Sequence, residues 1–474
     1  MNKNKQRIAP GPKGNLLLGS LPEIQRDALR FYLDCWRQYG DVVRFRLLGR
    51  AAWHLVSHPD DIDYVLRING QNYRKMVTNN TLRRVVGEGL LMSEGETWLR
   101  QRRLMTPAFQ GRRLENLSPI MVNAAKSLAH DEWRAYAQSG QPFDLGEEMT
   151  RLTLKIMLQT LFSANLGAQA EVLQSALMVV RQYINYKYAH VLSLPSSVPT
   201  RRNRRFLEVC ETLDNIIYSI IAERRRSGLD MGDLLSTFLL TPGEEGAGMS
   251  DRQVRDEILT LIVAGHETTA TALTWTWYLL AQHPECERQL LAELSQVLAG
   301  RSPTVADLPR LPYTKMVMDE AMRLYPPAWA IGRLAKGEDE IRGYHIPANS
   351  YVLILPYVTH RRADLWDDPE KFDPQRFAPQ RVALLPRFAH FPFGGGPRQC
   401  IGNNFSMLES QLLLATLVPH FRLELVSGAQ AEPEPSVTLR PRREVMVRLH
   451  ARPRCVEAGA SQTEEIVPTL TCPY

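Results

Sequence analysis

No Cys-x-x-Cys pair occurs in this chain, whose six cysteines stand far apart at Cys35, Cys210, Cys286, Cys400, Cys455 and Cys472. That scatter excludes a disulfide framework and a zinc site, and it implies a reducing compartment. Long apolar runs are missing as well. The longest, at 258–265 and 351–358, fall well short of the roughly 20 residues that span a bilayer, so no transmembrane anchor is expected. The N-terminus, Met1 to Gly14, is basic and proline-rich, without the apolar stretch of a signal peptide. Together these absences predict a cytoplasmic protein. Nor is there an excess of one charge, since 57 basic against 51 acidic residues leave a net charge of +6. The arginine runs at 100–103, 112–113, 201–205 and 224–226 fall on different predicted helices. They read as solvated faces, not as the coherent, aromatic-bearing patch that nucleic acid requires.

Repeats, composition shifts and long linkers are also absent, so the 474 residues do not divide. A hydrophobic share of 44% with 23% charged residues suits a large core. One folded unit is expected over 1–456, followed by a Ser, Thr, Glu and Pro-rich tail, 457–474, expected to be disordered.

Periodicity places an amphipathic helix at Phe31 to Tyr39 and short strands at Val42 to Leu48, Ala51 to Val56, Tyr351 to Leu355 and Val445 to Leu449. Between about Trp98 and Tyr325 the pattern is almost wholly helical. The fold class is therefore mainly α, with a small β lobe drawn from both ends of the chain.

The stretch Phe393-Gly394-Gly395-Gly396-Pro397-Arg398-Gln399-Cys400-Ile401-Gly402 sets one cysteine in a glycine-rich loop that runs into an apolar helix. Glycines permit positive φ and close approach of a flat group, proline stiffens the turn, and amides at a helix start donate to sulfur. A phosphate loop is excluded because no Lys followed by Ser or Thr comes after the glycines. Five fixed residues in F-x-x-G-x-R-x-C-x-G match by chance with probability on the order of 10⁻⁴.

This loop resembles the haem-binding loop of the cytochrome P450 family. The resemblance implies a cytochrome P450-like fold and haem b with Cys400 as its axial thiolate and metal ligand. It also implies that Arg398 pairs with a haem propionate, that Phe393 shields the sulfur, and that Gly402 belongs to the seat. A thiolate ligand favours O–O cleavage, which suits a monooxygenase. Trp98 and Arg102, four apart on one helix face, match the family's early-helix pair that reaches a propionate, and Arg333 matches a further propionate contact.

A long helix is predicted from the capping box Ser250-Asp251-Arg252-Gln253 to Gln282, just before His283-Pro284, a rod of roughly 45 Å. Its middle, Ala264-Gly265-His266-Glu267-Thr268-Thr269, interrupts a buried apolar pattern with charge and hydroxyls. A threonine hydroxyl that takes the carbonyl four residues back is expected to open a local bulge there. The segment resembles the family's A-G-x-E-T groove. By that resemblance Ala264 and Gly265 leave room for O₂ as cosubstrate, and Thr268 and Glu267 are the catalytic pair that delivers protons to it.

Glu320 and Arg323 match the family's E-x-x-R pair, with Arg376 as third partner in a structural network. Substrate-pocket positions by the same analogy are Ala264, Trp329, Ala330, Ile331 and Thr438, with Trp329 bulky enough to narrow the channel. The resemblance thus implies a monooxygenase placing one oxygen atom of O₂, by hydroxylation or epoxidation, into a hydrophobic small molecule. Fatty acids, terpenoids and polyketide or peptide natural products all fit. No flavin or dinucleotide domain follows Cys400, so electrons are expected from a ferredoxin or flavodoxin with its NAD(P)H reductase, docked in part through the basic surface. The enzyme is expected to be a monomer. Two rival classes stand beside this: a haem sensor or electron carrier, which has no need of Glu267 and Thr268, and a cysteine-nucleophile hydrolase, for which His390 is the nearest histidine in sequence.

Overall fold

Asp27, whose carboxylate accepts from the Arg30 N–H, caps the helix α1 (Ala28–Tyr39), and Gly40 with φ +90° ends it. In this computed structural model, residues 7–47, 52–76, 80–163, 167–190, 193–240, 249–426 and 430–453 are described. Leu48 and Ala51 of the expected strands, the tail 457–474, Cys455 and Cys472 lie outside them.

The β lobe has one five-stranded sheet built from both ends of the chain. Its strands are β1 (Val42–Arg46), β2 (Ala52–Val56), β3 (Tyr73–Lys75), β4 (Ile331–Ala335) and β5 (Tyr351–Ile354), in the order β1-β2-β5-β4-β3. β2 and β5 are parallel, with Val56 opposite Ile354, and the remaining pairs are antiparallel. Parallel pairing needs a long crossover, and the whole helical body supplies it. β3 and β4 were not among the expected strands. Their register sets Lys75 opposite Arg333.

The helical body follows the predicted order. α2 (Gly95–Met105) carries Trp98 and Arg102; α3 (Leu145–Phe162), α4 (Ala168–Ala189) and α5 (Asp251–Gln282) form the centre. α6 (Pro312–Leu324) and α7 (Asn403–Leu417) close the side toward the glycine-rich loop. α5 starts at the Ser250–Gln253 capping box and ends at His283, as expected. It is a continuous α-helix. The expected hydroxyl bond is made, from Thr268 to the Ala264 carbonyl at 2.7 Å, yet the expected bulge is not formed: the helix accommodates the added bond without a break.

The largest apolar cluster lies between these helices and includes Trp133, Trp275, Leu152, Ile258 and Leu412. A second forms under the sheet around Val352, Ile354 and Phe391. α5 runs through the first as its axis. From Val254 to Leu280 its side chains are buried except at Val263, Ala264, Gly265, Glu267 and Thr268.

Candidate active site

Backbone conformation shapes the loop that presents Cys400. Gly394 and Gly396 have φ of +68° and +67°, the left-handed region where a side chain is strained. A Cβ on Gly396 would sit 2.1 Å from the Leu66 carbonyl oxygen, and one on Gly395 would sit 2.3 Å from the Phe388 ring. The Cys400 N–H closes the loop by donating to the Phe393 carbonyl at 3.0 Å. His360 fixes its entry: the imidazole Nε2 accepts from the Phe391 N–H at 3.0 Å. Burial holds that imidazole far below the ordinary histidine range, so it stays neutral and able to accept.

The Cys400 side chain retains accessible surface while protein atoms crowd it on most sides, as a thiol does at the wall of an internal cleft. Burial raises its pKa; the Gly402 N–H and the Arg102 guanidinium act in the opposite direction. His390, buried against His360 and Phe377, has its pKa pushed down to about 3 by burial. It makes no pair with Cys400, which removes the geometry a cysteine hydrolase requires.

Beside the thiol, cations gather in excess of acids. Arg398 lies over the Trp98 ring at 4.0 Å, donates to the Ser93 carbonyl at 2.9 Å and pairs with Glu94 at 2.9 Å. Lys75, which donates to the Leu91 carbonyl, has its pKa lowered to about 8 by burial and then by Arg398 and Arg333. Burial and Arg398 lower Arg333 to about 10. Arg102 is lowered by burial. Glu94 is the acid that opposes this group among the described residues. Sequence reasoning missed Lys75 and Glu94, because only the β3–β4 pairing brings Lys75 to Arg333.

This arrangement fits a haem. One thiol keeps accessible surface, glycines permit close approach of a flat ring, and the surplus of guanidinium and ammonium groups suits two carboxylates.

The half-buried stretch of α5 borders a cavity of about 180 Å³, lined by apolar Leu82, Leu91, Leu177, Val180, Ile184 and Val263. Ala264, Glu267, Thr268 and Thr438 lie in the same wall, as expected. The Thr438 hydroxyl donates to Glu267 Oε1 at 3.2 Å. The hydroxyls of Thr269 and Ser406 meet at 3.1 Å and tie α5 to α7, the helix that leaves the cysteine loop.

The expected groove residue Gly265 and the three expected pocket positions Trp329, Ala330 and Ile331 lie outside this lining. Gly265 faces α3, where a Cβ would come within 2.3 Å of Met157 Cε, so its lack of a side chain serves helix packing. Trp329 donates from Nε1 to the Ser436 carbonyl at 2.9 Å and, with Ala330, packs on the cluster around Leu353 and Tyr357. Its neighbours Pro327 and Ala328 line the cavity instead. Ile331 lies against the loop, 3.5 Å from where a Cβ on Gly394 would be. His266, which sequence reasoning left without a role, borders the cavity; its Nδ1 bonds to the Ile262 carbonyl, and burial lowers its pKa.

The expected network is formed. Arg323 makes two bonds to Glu320, at 2.6 and 2.8 Å, and donates to the carbonyls of His360, Pro369 and Lys371. Arg376 Nε stands 3.4 Å from Glu320 Oε1, and the Asp373 N–H donates to the same oxygen at 2.9 Å. Both members of the central pair are fully buried.

Known proteins share this architecture. The family model described as Cytochrome P450 matches residues 9–448. Cyclooctatin synthase of Streptomyces melanosporofaciens is 36% identical over 439 residues, covering 92% of this chain and 94% of the relative. Cyclooctat-9-en-7-ol 5-monooxygenase of the same organism is also 36% identical, over 87% of this chain and 88% of its own length. Pentalenene oxygenase of Streptomyces avermitilis is 31% identical over 92% and 96%. The crystal structure of the cytochrome P450DA heme domain superposes with a TM-score of 0.84 at 25% identity, over 94% of this chain and 98% of that one. With its cysteine loop, its polar break in the central helix and these matches along nearly its whole length, the chain belongs to the cytochrome P450 family of haem-thiolate monooxygenases.

Proposed function

We propose that the protein binds haem b through Cys400 and uses O₂ to place one oxygen atom into a cyclic terpenoid that occupies the cavity beside Ala264 and Thr268. The observation that carries this is the partial exposure of Val263, Ala264, Glu267 and Thr268 to one apolar cavity on an otherwise buried helix. A threonine and a carboxylate at such a break, beside an apolar cavity, suit a reaction that needs protons but must exclude bulk water. The named activities of relatives that act on cyclooctat-9-en-7-ol and pentalenene favour a terpenoid skeleton over the other hydrophobic classes.

The haem supplies the oxygen-activating redox chemistry when bound. The protein's residues hold, orient and protonate. Arg102, Arg333, Arg398 and Lys75 hold the carboxylates of the ring, with Trp98 stacked under Arg398. Glu267 presents its carboxylate to the cavity, with Oε1 accepting from the Thr438 hydroxyl, and the Thr268 hydroxyl stands in the same wall to relay a proton toward the cavity. Leu177, Val180 and Ile184 exclude water from the same space. Glu320, Arg323 and Arg376 are structural. The proposal includes one folding unit over 1–456 and a monomeric, cytoplasmic enzyme. Electrons come from a ferredoxin or flavodoxin with an NAD(P)H reductase.

The test is the ferrous carbon monoxide difference spectrum of purified wild type and Cys400→Ala, followed by turnover with added ferredoxin, reductase and cyclic terpenes. A thiolate-type band in the wild type alone, with a mono-oxygenated product, is the expected result. A bound haem without that band, or with no substrate-dependent change in spin state, supports the sensor reading instead.

A further inference from the structure

Five α4 residues line the apolar cavity, among them Leu177, Val180, Arg181 and Ile184. Their spacing puts them on one helix face. Arg181 therefore interrupts an apolar stripe at its centre, where amphipathic patterning calls for another hydrophobe. It is half-buried, borders as well the wider cleft of about 400 Å³ that carries Asp144, Glu147 and Glu444, and, among the described residues, makes no hydrogen bond or ion pair. Glu267, the acid in the same wall, is engaged by Thr438 and forms no ion pair with Arg181. One turn on, Asn185 also lines the cavity, and its Oδ1 accepts from the Ser436 hydroxyl at 2.7 Å. That bond fixes the amide and leaves its nitrogen as a further donor beside the guanidinium.

A guanidinium cannot shed its charge, and here it stands without a bonded counterion at the edge of an apolar wall. A carboxylate matches its planar fork with two parallel bonds. We propose that Arg181 anchors a carboxylate of the substrate, so that the cavity takes an apolar carboxylic acid whose carbon skeleton lies among the leucines and valines. The inference rests on the reading of this cavity as the substrate site. It makes the substrate a molecule that already carries a carboxyl group, supplied by a preceding reaction that leaves a free acid on an apolar skeleton. Both a linear fatty acid and a cyclic terpenoid acid present that chemistry, and the two skeletons are separated by the test.

Calorimetric titration of the purified holoenzyme would compare dodecanoic acid with its methyl ester, and a tricyclic diterpenoid acid with its methyl ester. In the wild type the acid of the preferred skeleton should bind about tenfold or more tightly than its own ester, the size expected for charge-assisted hydrogen bonds. Arg181→Gln should bring that ratio close to one while ester affinity is retained, and Arg181→Lys should keep part of the preference. Equal binding of acid and ester to the wild type overturns the anchor, and so does a ratio that survives Arg181→Gln. A loss of ester and acid affinity in equal measure also overturns it, since that marks a structural role. If neither acid nor ester of either skeleton binds, the reading of the cavity falls along with the anchor.

Discussion

The Arg398 guanidinium lies 4.0 Å from the centre of the Trp98 ring, joining the cysteine loop to α2 across 300 residues of chain. Stacked in this way, Arg398 is held in one orientation while it pairs with Glu94 and donates to Ser93. Cation–π contacts of this kind contribute roughly 0.5–2 kcal/mol. Trp98→Ala should therefore loosen haem retention, with about a tenfold faster transfer of haem to an excess of apomyoglobin. Trp98→Phe should restore most of it. An unchanged transfer rate in Trp98→Ala would remove Arg398 and Trp98 from the seat.

Thr268 lines the cavity with its hydroxyl turned back to the Ala264 carbonyl. Thr268→Ala should leave haem content and substrate affinity as in the wild type, and lower product formation by about 10²-fold, the lower range for loss of a positioned proton donor. Reducing equivalents should instead appear as hydrogen peroxide. Product per NAD(P)H consumed is the quantity to measure, and full coupling in the variant would exclude the assigned role.

Glu320 and Arg323 are both fully buried, so removing one leaves the other without its countercharge. Glu320→Ala should cost roughly 3–5 kcal/mol in urea unfolding. The cysteine loop should feel it as well, because Arg323 also holds the carbonyl of His360, whose imidazole receives the Phe391 N–H. A loss under about 1 kcal/mol would contradict a buried, mutually dependent pair.

Glu257 on α5 accepts from the Leu90 N–H at 2.9 Å, and burial raises its pKa to about 8. The folded state thus holds this proton more tightly than the unfolded chain does. Its stabilising contribution is complete below the unfolded value near 4.5 and is lost as pH rises through about 8. Between those values stability should fall by at most roughly 1.4 kcal/mol per pH unit from this group. Glu257→Gln should flatten that dependence in urea melts at pH 6 and pH 8. An identical pH slope in the variant would show that Glu257 titrates normally.

Much of the fold was legible because its signals are local. Ser250 and His283-Pro284 mark both ends of α5, and the cysteine loop carries its own turn chemistry. What escaped depends on distant pairing. β3 is three residues long and becomes a strand only against β4, so Lys75 gave no hint that it would join Arg333. Gly265 is adjacent to the cavity-lining Ala264, yet the helix turns it toward Met157; identity and spacing do not reveal which neighbour a helix face meets. Trp329 was misplaced for a related reason, since its indole N–H is drawn away by the Ser436 carbonyl more than 100 positions downstream.

The parallel pairing of β2 with β5 also has a consequence during translation. Val56 leaves the ribosome long before Ile354, its partner in the sheet. At roughly 5–20 residues per second the β1–β2 hairpin waits on the order of 15–60 s for that strand. During that interval the apolar side chains of Val42, Val43, Leu55 and Val56, buried in the finished protein, have one another across the hairpin but lack the cover that β5 and the later core supply. Yield in a heterologous host should therefore respond to chaperone supply and to slower growth at low temperature more than to any single substitution in the hairpin.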